Sequence, residues 1–168
     1  MIQVRKLEPK DLPFLYQWEN DATSWADGDH HNPLSQQDLK NYIEASTGDI
    51  YKDGQLRLIV EEKTAEGVVT VGCLDFYDLD IRNRRVALGI YIDPAVRKRG
   101  LATQVMEYAE QYIFDFLHLR ILYVITRTNN FASARLFQKR GFQASSILYN
   151  WTEEGDAAIW MKFNPVIQ

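Results

Sequence analysis

Val86-Ala-Leu-Gly-Ile-Tyr-Ile92, followed by Asp93-Pro94-Ala-Val-Arg97-Lys-Arg-Gly100-Leu-Ala102 and an amphipathic run to about Leu117, decides the fold. The first seven residues predict a buried strand, the next group a basic glycine-containing turn, and the remainder a long helix. Leu101, Val105, Ala109, Tyr112 and Phe116 recur at helical spacing and give that helix one core face. No Ser, Thr, Asp or Asn stands immediately before it, so its first backbone N–H groups have no side-chain cap. The helix is approached instead through Arg97-Lys98-Arg99-Gly100. Free N–H donors, the positive end of a helix dipole and nearby cations together make an anion site suited to a pyrophosphate. On spacing alone, a solvated basic turn with Gly100 serving only the backbone accounts for the same residues.

Working outward, Ile2 to Leu7 reads as a first strand. Asp11 precedes a helix over 12–18 that carries Pro13 in its first turn, where a missing N–H costs little. Residues 20–33 form a loop rich in Asp, Gly and His, with Trp25 inside it. Ser35 and Asp38 then make a capping box, Leu34 and Leu39 a hydrophobic staple, and the helix ends near Gly48. The period changes at Gln55. Residues 56–60 and 68–76 read as antiparallel strands joined by a turn at 63–67. A polar turn over 78–85 leads into the strand 86–92. Beyond the long helix, 120–126 is apolar on both faces, as a strand covered on both sides should be. Asn130 caps the next helix, Gly141 ends it, and 147–149 with 157–161 make a last hairpin through 152–156. This is an α/β (α+β) arrangement in one domain, 1–168. Gly89, inside the strand 86–92, marks either a bulge and close backbone approach or a glycine tolerated for packing.

The bulk properties narrow the function. A chain of 168 residues, 46% hydrophobic and 25% charged, has the size and composition of a soluble domain with a real core. A formal charge of −4 argues against general nucleic-acid binding, and the cations at 97–99 are too few for such a footprint. The single cysteine, Cys73, excludes an intramolecular disulfide and suits a reducing compartment. It lies in an apolar strand pattern and reads as a core residue rather than a nucleophile. No signal-peptide pattern opens the sequence and no apolar run approaches a membrane span, so the expectation is a cytoplasmic protein without a membrane partner.

A second block joins the first: Asn130-x-x-Ser133-x-x-Leu136-Phe137-x-Lys139-x-Gly141-Phe142. With Arg97-x-x-Gly100-x-Ala102 it resembles the GNAT family of N-acetyltransferases, matching the acyl-CoA pyrophosphate loop and the later cofactor-side helix with its Gly-Phe turn. The likeness in layout runs from Val4-Arg5 to Met161, and the chain looks most like the branch of polyamine and ribosomal-protein N-terminal acetyltransferases. The resemblance implies one GNAT-like domain, with a mixed, mostly antiparallel sheet, a splayed central strand pair and flanking helices. It implies acetyl-CoA as cosubstrate. Arg97, Lys98, Arg99, Gly100, Leu101, Ala102 and Thr103 would hold the pyrophosphate. Backbone groups of Ile90, Tyr91 and Ile92 would hold the pantetheine in a gap opened by a bulge at Gly89. Asn130 and Ser133 would stand on the other flank, and Phe137 beside the sulfur end.

Two residues depart from the family. Many members carry a tyrosine where this chain has Phe137, and that phenol is thought to protonate the departing thiolate. Tyr149, Tyr91 or a water can take the vacant role, and a tyrosine near a sheet is also commonly just packed. Lys98 replaces a frequent second glycine, adding charge to the loop while restricting it.

Acetyl transfer to an amine of pKa about 10 needs a proton acceptor, a held carbonyl and a thiolate that can leave. Holding the reactants together supplies much of the rate, and a backbone N–H near Ile92 is placed to polarise the thioester carbonyl. Asp75, Asp78, Glu61 and Glu62 end strands and can take a proton or hold an ammonium, and each also reads as a solvated strand-end carboxylate. Asp75 and Tyr149 are the catalytic candidates. His30 and His31 stand far from His118 in sequence, and no spacing resembles a metal site, so no metal is expected. The acceptor would enter between 25–33 and 149–156, past Asp27, Asp29, Glu153, Glu154 and Asp156. That rim suits a polyamine-like small amine or a peptide N-terminus, although acidic loops are also ordinary in an acidic protein. The reading is an acetyl-CoA-dependent N-acetyltransferase working by direct transfer in a ternary complex. Its rivals are a CoA-binding module without catalysis, motivated by Phe137, and an unrelated α+β domain. The exposed final strand offers an edge for a homodimer.

Overall fold

The alternation of apolar residues along the strands resolves into one mixed sheet. In a computed structural model describing residues 1–22 and 32–167, its order is β1 (Ile2–Lys6), β2 (Leu56–Thr64), β3 (Gly67–Asp80), β4 (Arg85–Ile92), β5 (Ile121–Arg127), β7 (Gly155–Phe163) and β6 (Gln143–Thr152). Every neighbouring pair is antiparallel except β4–β5, which is parallel.

Period-two alternation sends successive residues to opposite faces and builds two cores. Ile59 and Cys73 lie under α1 (Leu12–Glu19) and α2 (Gln36–Ala45), against Leu15, Trp18, Leu39 and Ile43. Leu58, Val60, Leu74, Val86 and Leu122 face the other way, toward Leu101, Val105 and Met106 of α4 (Leu101–Glu110). A single-turn helix, α3 (Ile50–Asp53), precedes β2, and α5 (Phe131–Lys139) follows β5. The capping box before α2 forms with Asp in place of Glu: Ser35 Oγ accepts from Asp38 N at 3.0 Å and Asp38 Oδ2 accepts from Ser35 N at 3.0 Å.

Several boundaries differ from the sequence reading. The long helix is α-helical only to Glu110 and continues as a π-helix over Gln111–Phe116, where Leu117 N donates to Tyr112 O at 3.0 Å. Tyr108, Tyr112 and Phe116 stack along this stretch, with centroid spacings of 6.1 and 5.5 Å. β5 is fully covered on the α4 face only; on the other face Ile125 is 37% exposed. β3 runs on through Asp80, and its register shifts between Tyr77 and Asp80, where Asp78 takes a φ of 51°.

The expected bulge at Gly89 is not there. The β3–β4 ladder stays in register from Gly72↔Ile92 to Tyr77↔Ala87 and includes Asp75↔Gly89. A Cβ on Gly89 would meet Asp75 Cβ and Tyr77 Cε1 at 3.6 Å, an ordinary contact. The close approach belongs to Gly72 instead, where a Cβ would fall 2.0 Å from the Tyr91 carbonyl oxygen. The splay is real, but it arises on the other edge of β4. β4 and β5 pair only at Arg85↔Ile121, Val86↔Leu122 and Ala87↔Tyr123, and then part.

Candidate active site

Because β4 and β5 are parallel, their C-terminal ends lie on the same side, and the helices that follow them begin at the open end of the splay. A strand directs its hydrogen-bonding groups alternately to its two edges. Beyond Ala87 the groups of β4 directed at β5 therefore have no strand partner among the described residues; Ile92 O instead accepts from the Arg97 side chain, Nε at 2.8 Å.

That bond fastens the basic turn to the strand. Asp93 adds two more ties: its N–H donates to Val71 O at 2.9 Å, and its Oδ1 accepts from Ala95 N at 2.9 Å. The turn then passes through left-handed backbone at Lys98 (φ 65°) and Gly100 (φ 78°), and Gly100 is the N-cap of α4 with no side-chain cap. The first N–H groups of α4 are left available, as the sequence required. The three cations are not equivalent. Arg97 lies over the Tyr91 ring, 5.9 Å from its centroid, and Arg99 is paired with Glu62 at 2.8 Å. Lys98 pairs with no carboxylate among the described residues.

Opposite, Asn130 Oδ1 accepts from Ser133 N at 3.2 Å, so these two residues form the N-cap of α5. Phe137, two turns along, is 6% exposed and packs in the core against Phe142 and Trp160, at centroid distances of 5.7 and 6.0 Å.

The α1–α2 face of the sheet carries the polar side chains. Arg57, Asp75 and Gly89 form one row across β2, β3 and β4. Arg57 Nε donates to Asp75 Oδ1 at 2.6 Å and Nη2 to Oδ2 at 3.0 Å, while Nη1 pairs with Glu19 at the end of α1. Burial opposes the Arg57 charge, but the Asp75 and Glu19 carboxylates outweigh it and raise the guanidinium pKa well above its ordinary value. Cys73 lies in the same patch, its Sγ 4.0 Å from Asp75 Oδ2. Burial first, and then the Asp75 charge, push its thiol pKa up. Tyr91 packs on Trp18 at 5.4 Å, and burial, reinforced by Asp21 and Asp93, pushes its pKa up to about 12. Its phenol therefore stays protonated at neutral pH.

The remaining candidates scatter. Tyr149 is 77% exposed on β6, the edge strand, with β7 and β5 between it and β4. Asp78 is exposed at the β3 irregularity. Glu61 is taken up elsewhere: it accepts from Gln3 Nε2 at 2.5 Å and from Arg5 Nε at 2.6 Å, and Arg5 also grips buried Asp11. Two of the rim acids are engaged within their own region, Glu154 with Arg127 and Asp156 with Asn150 N at 2.8 Å. Trp25, Asp27, Asp29, His30 and His31 lie outside the described residues. Among the described residues no group of three or more His, Cys, Asp or Glu could hold a metal ion, and no helix is long and apolar enough to cross a membrane. Sequence reasoning missed Arg57 and Glu19. The available signal was an arginine inside the apolar run Leu56-Arg-Leu58-Ile-Val60.

Known proteins share this fold. Spermidine N(1)-acetyltransferase of Escherichia coli (strain K12) is 26% identical over 150 residues, covering 88% of this chain and 75% of that protein. The crystal structure of spermidine N-acetyltransferase from Vibrio cholerae in complex with CoA and spermine superposes with a TM-score of 0.87 at 20% identity, over 97% of this chain and 95% of the other. A dodecameric structure of the Vibrio cholerae enzyme, in an intermediate state, gives 0.78 at 20% identity over 97% and 94%. The model of the acetyltransferase (GNAT) domain matches residues 2–143. That span takes in β1, both helices of the α1–α2 face, the splayed strands, the uncapped α4 and all of α5, and on it the chain belongs to the GNAT acetyltransferase family.

Proposed function

We propose that the chain is a single-domain N-acetyltransferase, 1–168, that moves an acetyl group from acetyl-CoA directly to a primary amine while both substrates are bound. The observation that carries this reading is the parting of β4 and β5 after Ala87↔Tyr123, with the uncapped N-terminus of α4 at its open end. GNAT enzymes use acetyl-CoA, which supplies the acetyl group as an activated thioester.

The residues present fit that cosubstrate. Among the described residues, Gly100, Leu101, Ala102 and Thr103 offer free N–H groups at the positive end of a helix, and Lys98 offers a cation with no competing carboxylate. Arg97 and Arg99, anchored by Ile92 O and Glu62, add fixed positive charge. Backbone groups of Ile90 and Ile92, which face the gap, take the amides of the pantetheine arm, and one of their N–H groups polarises the thioester carbonyl; those of Tyr91, expected to join them, are directed at β3. Asn130 and Ser133 close the far flank, with Phe137 supporting it from the core. Direct transfer is favoured by Cys73: the chain's single cysteine is 4% exposed and its thiol pKa is raised, so it offers no accessible thiolate to carry the acetyl group.

Asp75 receives the acceptor amine on the α1–α2 face; with β7 and β5 between Tyr149 and β4, a proton from that phenol reaches the departing thiolate only through intervening water. A polyamine-like acceptor is favoured by the relatives named above, whose substrates are polyamines. A peptide N-terminal amine presents a similar cation and is the second acceptor class. The chain works in the cytoplasm. It self-associates through β6, an edge strand that exposes Ile147, Tyr149 and Trp151. The absence of a phenol at Phe137 favours one rival, a CoA-binding domain that does not turn over.

Calorimetric titration with acetyl-CoA, followed by thiol release against spermidine, spermine and short peptides, tests the reading. Binding with saturable, amine-dependent release supports it and names the acceptor class. Binding without release on any amine favours the silent module, and no binding rejects the proposal.

A further inference from the structure

We propose that Arg57 is a positioning residue for the acceptor. Pinned between Glu19 and Asp75, its guanidinium sets the Asp75 carboxylate beside Gly89 at the parting of β4 and β5, where Asp75 anchors the acceptor as an ammonium ion. The inference deepens the acetyl-transfer reading and rests on it.

The geometry is that of a fork. Two parallel bonds from one guanidinium to both oxygens of a carboxylate fix its plane and its direction, which a single contact cannot do. The third guanidinium nitrogen is tied to Glu19, so the fork itself cannot swing, and the guanidinium also lies over the Tyr42 ring, 5.6 Å from its centroid. Asp75 Oδ1 accepts from Arg57 Nε and keeps lone-pair capacity for another donor, while Oδ2 accepts from Arg57 Nη2 and faces the Cys73 thiol at 4.0 Å. The carboxylate is not sealed in: the Asp75 side chain is 24% exposed. Next to it in the ladder stands Gly89, so β4 places no side chain beside Asp75, and the Tyr77 ring borders the same space, its Cε1 3.6 Å from where a Gly89 Cβ would lie. A carboxylate selects a cation, and an ammonium N–H is a donor that Asp75 Oδ1 can still accept.

An arginine buried only to stabilise the sheet would not separate acceptor binding from cofactor binding, and that separates the two roles. Arg57→Lys keeps the charge but replaces the fork with a point donor. In steady-state assays with spermidine it should raise the acceptor KM about tenfold, the scale of a hydrogen bond between charged groups, with kcat and the acetyl-CoA KM within about twofold of wild type. Asp75→Asn should raise the acceptor KM as well. In the Asp75→Asn background, adding Arg57→Lys should change it by less than about twofold, because both variants remove one unit. Asp75→Glu, which keeps the charge and displaces the oxygens, guards against a folding defect in Arg57→Lys and should raise the acceptor KM at unchanged acetyl-CoA affinity.

An unchanged acceptor KM in Arg57→Lys, or in Asp75→Glu where Arg57→Lys does not fold, overturns the proposal. Multiplying effects in the double variant, or equal loss of acceptor and acetyl-CoA binding, do the same. In each of these cases wild-type turnover leaves the acetyltransferase reading standing. Wild-type protein that releases no thiol with any amine overturns that reading, and the role of Arg57 with it.

Discussion

Asp75 and Gly89 are partners in the β3–β4 ladder, and a Cβ on Gly89 would lie 3.6 Å from the Cβ of Asp75. The glycine is therefore not enforced by its neighbours. Alanine fits there at ordinary contact distance, and a larger side chain would occupy the space beside the carboxylate. Gly89→Ala should leave stability within about 1 kcal/mol of wild type or raise it slightly, because it removes freedom from the unfolded chain. Gly89→Leu should fold and bind acetyl-CoA, yet lose most amine-dependent thiol release. Full turnover in Gly89→Leu would place the acceptor elsewhere.

Gly100 acts through conformation rather than space. Among the described residues nothing lies within 4 Å of a Cβ built there, but its φ of 78° is left-handed, and a side chain at that angle costs about 1–2 kcal/mol. Gly100→Val should displace the turn, deflect the first N–H groups of α4 and weaken acetyl-CoA binding at least tenfold by calorimetry. Native-like circular dichroism with unchanged affinity would reject the pyrophosphate-loop assignment.

These two glycines also show how far the sequence could be read. The strand 86–92 and the uncapped helix were legible because apolar spacing and the missing cap are local properties. So was the capping box at Ser35 and Asp38. Gly89 was misassigned because composition does not separate a glycine kept for free space from one that opens a bulge. Gly72 requires its missing side chain, but only the pairing of β3 with β4 brings the Tyr91 carbonyl against it. Arg57 stood out as a charge in an apolar run, yet its partners Asp75 and Glu19 are 18 and 38 residues away in sequence. Glu61 resembled an active-site base until β1 folded over it with Gln3 and Arg5. What depended on tertiary placement was not available from the pattern.

Tyr149 gives a prediction that separates catalysis from architecture. Its side chain is exposed, so Tyr149→Phe should leave the melting temperature and acetyl-CoA affinity unchanged. If the phenol supplies the proton to the leaving thiolate, kcat should fall about 10- to 100-fold. Wild-type kcat would leave that role to Tyr91 or to water.

The cluster of Arg5, Asp11 and Glu61 predicts how stability depends on pH. Burial pushes the Asp11 carboxyl up, but the paired hydrogen bonds from Arg5, at 2.7 Å each, and one from Glu8 N outweigh it and hold its pKa below the ordinary value. Glu61 is likewise opposed by burial and lowered by Gln3 and Arg5. Both groups bind protons more tightly in the unfolded chain. Their stabilisation is therefore present above about pH 5 and is lost as the pH falls through the native pKa values. Arg5→Ala reverses the sign for Asp11, whose side chain is 1% exposed and would keep a buried, unpaired charge. The variant should be about 3–5 kcal/mol less stable than wild type at pH 7. That deficit should shrink as the pH is lowered toward 4, because protonation neutralises Asp11 in the variant while it removes a native ion pair in the wild type. Urea unfolding of both proteins across pH 4 to 7 measures this convergence. A deficit independent of pH would mean that Arg5 stabilises the fold through packing of its stem rather than through its charge.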